Sequence, residues 1–469
     1  MSFVQLEFLW FLLIVLALYW GVPKRRWQNA LLAVSSAIFY GWVHPWFLVL
    51  LYGSAVLDYN VGRAIVSRPE RKRLWLTLSL AGNLGMLGYF KYCDFFIDNV
   101  IAALSALGLE TSLHTLGVFL PVGISFYTFQ TMSYTIDIYR GTLKPRRDFL
   151  DYVVFVSFFP QLVAGPVERA SRLLPQVEKD RHFKAEVFAS GVGLAMWGAF
   201  KKMVVADTVA PYVDKIMLTK EPSGAMIAAA TLGFAIQILA DFSGYTDIAR
   251  GLARMLGFEL MQNFKHPYLS VNPSEFWRRW HVSFSSWIRD YLYIPLGGSR
   301  GGRWATLKAT FGAMLLSGLW HGASWNFVLW GAFHATLITG YRAVTRRFPR
   351  ELRKDPRHRV LTVPLMFAFT CLGWLIFRET RIERLVYYAG LNPLEGTTEQ
   401  WVATATMLSI CALTATPLIV GLVVETQVVP RIAHRPWFLP LRTTAWAVMA
   451  IGMLLFFRLS TMDFIYFQF

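Results

Sequence analysis

Two histidines in unlike settings are the residues of this chain that could do chemistry. His321 lies in Ser317–Phe327 (SGLWHGASWNF), inside a run from Ala309 to Gly340 that contains no Asp, Glu, Lys or Arg. Such a run reads as lying at membrane depth, where an ionisable group is expensive and usually has a task. Gly318, Gly322, Ala323 and Ser324 flank it and allow close approach of another backbone or a substrate. Helical spacing would put Ser317 and Trp325, at i−4 and i+4, on the face of His321, with Asn326 as a further polar group nearby. The plainer alternative is a histidine that hydrogen-bonds a neighbouring helix. His281 lies forty residues upstream, after Trp277, Arg278, Arg279 and Trp280. By itself it reads equally well as an interfacial residue with anchoring aromatics. Arg289, Asp290, Tyr291 and Tyr293 follow within three turns and favour a site. His334 shares the uncharged run but sits near its end, where an interfacial histidine is ordinary.

An imidazole of ordinary pKa can serve as a general base near neutral pH. No nucleophile elbow, P-loop, HExxH or GxGxxG accompanies these histidines. The sparest chemistry is a base that takes the proton from a hydroxyl as that hydroxyl attacks an acyl carbonyl. An activated thioester needs no metal for this, and arginines at the cytoplasmic mouth could hold a polyphosphate-bearing donor.

The elements that must position these groups are membrane helices. Hydrophobic residues make up 55% of the 469, charged residues only 16%, and mean hydropathy is +0.42. Many segments repeat the apolar length of about 20 residues that spans a bilayer. The expected class is therefore all-α, a polytopic membrane bundle with some re-entrant and interfacial helices. The net charge of +17 resides in short loops between apolar runs. It reads as the positive-inside pattern rather than as a nucleic-acid surface, with anionic lipid and anionic substrate as secondary partners. Cys93, Cys371 and Cys411 show no CxxC spacing, so no disulfide framework or metal site follows.

Phe3–Gly21 reads as a retained first span, and Lys24-Arg25-Arg26 after it as cytoplasmic, placing the N-terminus outside. Asn29–Gly41 and Pro45–Tyr59, split at His44-Pro45, read as a broken pair, and Leu74–Phe90 as a crossing after the basic loop Arg68–Arg73. Asp94–Gly108 is read along the outer interface, and Thr115–Ile136 as a helix bent at Pro121. Tyr152–Val167 is broken by Pro160, Gly165 and Pro166 and reads as bent or re-entrant; Glu168–Glu186 reads as a surface helix. Val187–Phe200 and Pro222–Ala240 are further spans separated by Lys201-Lys202 and a polar link, and Asp241–Lys308 reads as short interfacial helices. Arg342–Arg359, with eight Lys or Arg, is the strongest cytoplasmic marker. Three closing spans, Val360–Phe377, Trp401–Val424 and Thr443–Phe457, leave the C-terminus outside. There is no internal repeat, which weakens a transporter built on inverted halves.

Six ordered segments carry a resemblance: Leu120–Tyr139 (LPVGISFYTFQTMSYTIDIY), Phe158–Glu168 (FFPQLVAGPVE), Asp241–Ala249 (DFSGYTDIA), Asn263–Ser270 (NFKHPYLS), Glu275–Gly298 (EFWRRWHVSFSSWIRDYLYIPLGG) and Ser317–Trp330 (SGLWHGASWNFVLW). On these the chain resembles the membrane-bound O-acyltransferases, and within them the bacterial alginate O-acetyltransferase branch. The resemblance spans about residues 116–335; the outer segments match only in hydropathy and length. It implies one membrane-embedded domain, with N-terminal spans in 1–115, a catalytic core in 116–335 and C-terminal spans in 336–469, built as a bowl-like bundle around a transmembrane tunnel. It makes His321 the position of the near-invariant catalytic residue and His281 that of the second, subfamily-dependent one, with no departure from the motif at either. Arg289, Asp290, Tyr293, Trp325 and Asn326, close to these two in sequence, are the expected substrate-binding residues. The branch implies an inner-membrane enzyme without a resident cofactor, which takes acetyl groups from a cytoplasmic donor such as acetyl-CoA. It passes them outward to a polysaccharide, directly or through a periplasmic acetyltransferase partner. Relatives act on alginate, cellulose or peptidoglycan, and a distant branch handles carrier-bound D-alanine. The compact C-terminal end suggests an alginate- or cellulose-type member. A non-catalytic acyl-group channel and a D-alanyl transferase stay as alternatives.

Overall fold

The computed structural model describes residues 1–469 except 43, 164, 346–357, 436, 459–463 and 466–469. Among the described residues every regular element is helical. Four helices are long and apolar enough to cross a membrane: Gly224–Met255, Arg359–Arg378, Thr398–Ile432 and Phe438–Leu455, with Leu6–Gly21 a shorter apolar helix. Most of the basic stretch Arg342–Arg359 lies outside the described residues. The chain divides into two compact units, residues 1–192 with 249–261, and 193–248 with 262–469.

The first unit opens with α1 (Leu6–Gly21), α2 (Arg25–Gly41), α3 (Phe47–Ser67), α4 (Lys72–Leu87) and α5 (Cys93–Ala106). It continues with α6 (Ile124–Tyr139), α7 (Phe149–Ser157), α8 (Phe159–Leu162) and α9 (Ala170–Val177). Its helices are tied by polar groups as much as by apolar ones. Asp151 of α7 accepts from Arg25 at 2.9 Å and from Asn29 at 2.7 Å, both on α2. Arg181 donates to the Tyr19 hydroxyl of α1 at 2.6 Å and to the Val177 carbonyl at 3.0 Å. The stretch read as a surface helix is thus only partly one: α9 is short, and Glu168 and Arg181 are buried. Thr115–Ile136 also differs from its reading. The helix does not bend at Pro121 but begins after it, at Ile124. Gly123 precedes it with φ +78°, and a Cβ there would lie 2.8 Å from the Leu162 carbonyl oxygen, so both conformation and space demand glycine. Tyr152–Val167 is broken, but at Phe158, between α7 and α8; Pro160 sits within the first turn of α8.

The second unit holds the second half of α10 (Ala185–Phe200), then α11 (Asp207–Met217) and most of α12 (Gly224–Met255). The short α13 (Pro273–Arg279) and α14 (Val282–Ile288) follow, then α15 (Gly302–His321), α16 (Trp325–Thr345) and α17 (Arg359–Arg378). Two expectations change here. Lys201 and Lys202 do not mark a solvated link, being only 5% and 1% exposed in a turn that continues from α10. Asp241 does not end a span, because α12 runs through it for 32 residues. One fact explains both. Lys202 pairs with Asp207 at 2.8 Å and with Asp241 at 2.9 Å, and Lys201 with Asp247 at 2.6 Å. Paired and neutralised, these groups tolerate burial that none could alone. The α15–α16 hairpin closes through glycines. A Cβ on Gly318 would lie 2.0 Å from the Phe327 carbonyl oxygen and one on Gly331 2.4 Å from that of Met314.

Candidate active site

His281 occupies a position that the local chain has to be forced into. Asn272 caps α13, its side chain accepting from the Glu275 N–H at 2.8 Å, and Pro273 fills the first turn, where no N–H is needed. The helix stops at Arg279, Trp280 is extended, and His281 adopts φ 43° and ψ 55° before α14 starts. This left-handed conformation costs a non-glycine residue about 1–3 kcal/mol. It is held by an adjoining segment: Lys265 N–H donates to the Arg279 carbonyl and Val282 N–H to that of Asn263, each at 2.9 Å. The Asn263 side chain then accepts from the Ser283 N–H at 3.2 Å, acting as the cap that His281 does not supply. The His281 ring is fully buried against Phe242 (4.7 Å between centroids) and Phe284 (5.0 Å). Neither ring nitrogen has a hydrogen-bond partner among the described residues. Burial without a charged partner drives its pKa well below the usual histidine value, so the ring is neutral, with one donor and one acceptor unused.

His321 is the last residue of α15. Gly322 leaves the helix extended (φ −164°, ψ 155°), and a Cβ there would lie 2.2 Å from the Phe327 ring. The helical-face reading therefore fails for Trp325. That residue starts the next helix and is 55% exposed, whereas Ser317, one turn back, is buried. His321 is 5% exposed among the rings of Trp320 (5.0 Å), Trp330 (5.0 Å), Phe377 (5.2 Å) and Phe284 (5.6 Å). Phe284 and Trp320 also touch His281, at 5.0 and 6.1 Å. The two imidazoles therefore face one shared aromatic layer, although forty residues separate them in sequence.

The remaining sequence candidates divide. Asn326 is fully buried, and its amide donates to the Ile376 and Phe377 carbonyls at 3.2 and 3.1 Å, closing the end of α17 and fixing the Phe377 ring beside His321. Its Oδ1 has no hydrogen-bond partner among the described residues. Arg289, Asp290 and Tyr293 lie on a π-helical turn after α14. The exposed Arg289 guanidinium is paired with Asp290 at 2.7 and 3.2 Å, and that pairing raises the arginine pKa.

Residues packed around the candidate site also escape the sequence reading. His334 is not interfacial: it is 1% exposed and packed by Phe276, Trp277, Trp330 and Phe333. Asn263, inside the segment NFKHPYLS, had no local signal for its capping role. The Lys202 cluster reaches the site indirectly. Asp241 also accepts from the Ile465 N–H at 2.7 Å, and neighbouring Phe464 packs on Phe242 at 5.5 Å, behind the His281 ring.

Residues 142–383 match the sequence profile of MBOAT, the membrane-bound O-acyltransferase family. The chain belongs to that family. The stretch matched as membrane-bound O-acyltransferase contains both histidines of the aromatic layer and the buried lysine cluster. Relatives agree with it. The chain is 41% identical to a probable alginate O-acetylase AlgI of Pseudomonas syringae pv. tomato, over 79% of this chain and 71% of that protein. It is 35% identical to a peptidoglycan O-acetyltransferase of Helicobacter pylori (75% and 71% covered). A teichoic acid D-alanyltransferase of Bacillus subtilis is more distant, at 28% identity over 55% and 68%. As a membrane-bound O-acyltransferase the chain is a membrane protein and an acyltransferase, and these relatives are named for acyl transfer involving alginate, peptidoglycan and teichoic acid.

Proposed function

We propose that this chain is an inner-membrane O-acetyltransferase that takes acetyl groups from acetyl-CoA on the cytoplasmic side for O-acetylation of an exported polysaccharide of alginate or cellulose type. Hand-over is direct or through a periplasmic acetyltransferase. His321 is the general base. The acceptor hydroxyl loses its proton to the imidazole as its oxygen attacks the thioester carbonyl; the C–S bond breaks, and the departing thiolate recovers the proton. A proton taken up by His321 places positive charge at the carbonyl end of α15, where the helix dipole favours it. His281 orients donor or acceptor through its unused ring nitrogens. Asn326 offers Oδ1 to substrate, Trp325 and Tyr293 bound its path, and Arg289 meets the donor phosphates in competition with Asp290. Both termini lie on the outer side.

The observation that carries this reading is the aromatic layer shared by His281 and His321, because the fully buried His281 imidazole, without a hydrogen-bond partner among the described residues, is costly unless something binds it. The alginate reading is supported by identity near 40% to the alginate proteins, against 35% for the peptidoglycan O-acetyltransferase and 28% for the D-alanyltransferase. The test is His321→Ala in purified protein reconstituted with labelled acetyl-CoA and uronate or glucan oligosaccharides. Loss of a general base predicts a fall of about 10²–10⁴-fold in acetyl transfer, with the melting temperature retained. Undiminished transfer would overturn the assignment; labelled D-alanine accepted from a carrier protein, with acetyl-CoA inert, would replace the donor.

A further inference from the structure

A groove runs along the outside of the first unit between α3 and α4. It consists of a cavity of about 700 Å³ continued by one of about 180 Å³, the two sharing Leu57 and Gly82. Its α3 wall is a stripe at helical spacing, Gly53, Val56, Asn60, Arg63 and Ser67, all exposed. At 1.5 Å per residue the stripe is about 21 Å long, more than half of a hydrocarbon core about 30 Å thick. The floor is low because it is made of glycine. Gly53 has nothing within 4 Å of an added Cβ, and one on Gly82 would strike Leu57 at 2.6 Å.

The two ends of the groove differ. One is apolar, at Val49, Leu50 and Met86. The other carries Arg63 and Arg68, whose guanidiniums lie over the Tyr59 and Trp75 rings at 5.6 and 5.8 Å. Neither forms an ion pair among the described residues, and the Trp75 indole N–H lacks an acceptor there. Arg71, Lys72 and Arg73 add positive charge just beyond, against Glu70 alone.

We propose that this groove binds an acidic glycerophospholipid, one acyl chain lying between α3 and α4 and its phosphate diester on Arg63 and Arg68. Length, apolar floor, a tryptophan at the headgroup end and two uncompensated guanidiniums match the parts of such a molecule in order. A partner's apolar helix would fill the floor and leave both guanidiniums without counter-charge. A zwitterionic lipid would bring its ammonium towards them.

The test is native mass spectrometry of the full chain in mild detergent, titrated with phosphatidylglycerol and phosphatidylethanolamine of identical acyl chains. Phosphatidylglycerol should bind about thirtyfold more tightly, which corresponds to about 1 kcal/mol for each of two basic side chains near a membrane surface. Arg63→Gln with Arg68→Gln should bring the two lipids to parity, while Ala81→Phe, which narrows the groove and keeps both arginines, should weaken both. Equal retention of the two lipids by the unaltered protein would overturn the proposal. So would a preference that survives the double substitution, or a co-purified protein chain whose release alone opens the groove.

Discussion

In the first unit the Asp58 carboxylate of α3 receives the Ser79 hydroxyl at 2.6 Å and the Asn83 amide at 2.8 Å, both from α4. Asn83 in turn accepts from Ser54 at 2.6 Å and from Thr131 of α6 at 3.3 Å, and Ser79 meets Thr135 at 3.0 Å. In the second unit the equally buried His281 receives nothing from the described residues and is bounded by rings. Both clusters put ionisable groups where water is scarce, but one closes on itself and the other stays open. A closed network joins helices, because each polar atom would cost about 1–3 kcal/mol if left alone. An open one at a strained backbone position has no use in folding, and the strain persists only because the surrounding chain imposes it. Completeness of hydrogen bonding, more than burial, separates the structural polar cluster from the candidate site.

Substitutions at the two clusters should therefore change different observables. The largest effect after His321 is expected at His281. Asparagine tolerates the left-handed conformation, so His281→Asn should keep the backbone, and the melting temperature should stay within a few degrees. Acetyl transfer should fall about a hundredfold, the lower end of what a positioned acid–base or orienting imidazole contributes. A variant that melts early would instead give His281 a structural duty and erase the distinction.

Asp58→Leu should do the reverse. It removes the acceptor of two buried donors and should lower stability by about 2–6 kcal/mol, about 1–3 for each, visible as earlier thermal unfolding in detergent. Turnover per folded molecule should match the unaltered protein. A loss of turnover out of proportion to folded protein would mean that the closed cluster also serves the chemistry.

The legible part of this architecture was local. The uncharged run, the small residues beside His321 and the two histidine motifs pointed to the pair that the structure brings to one aromatic layer. The three C-terminal spans fell within a few residues of Arg359–Arg378, Thr398–Val423 and Phe438–Leu455, because an apolar run of bilayer length is a signal of its own. What was not legible depends on partners far along the chain. Lys202 looks like a loop marker until Asp241, 39 positions later, neutralises it. Asn263 looks like a polar loop residue until its side chain caps α14. Trp325 shares a face with His321 only where helical spacing continues across Gly322, and there the packing of Phe327 leaves no room for a Cβ and the helix ends.

His334 is the hardest case for the contrast. Like His281 it is fully buried with both ring nitrogens lacking partners among the described residues. Its surroundings differ. The ring stacks parallel to Phe276 (6.0 Å, 6°) and meets Trp330 edge-on at 4.6 Å and Trp277 at 5.0 Å. A Cβ on Gly373 would come within 3.1 Å of its Nε2, and its backbone is an ordinary helical turn of α16. No face is left for a substrate, and no strain is spent on holding it. The ring acts as a packing piece between α13, which leads into His281, and α16, which follows His321. His334→Phe keeps a flat ring of similar size and deletes two unsatisfied polar atoms, so stability should rise by about 1 kcal/mol. Acetyl transfer should stay within about threefold of the unaltered enzyme. A drop comparable to that of His281→Asn would extend the site to a third imidazole, and would show that unsatisfied burial alone marks function here, with or without backbone strain.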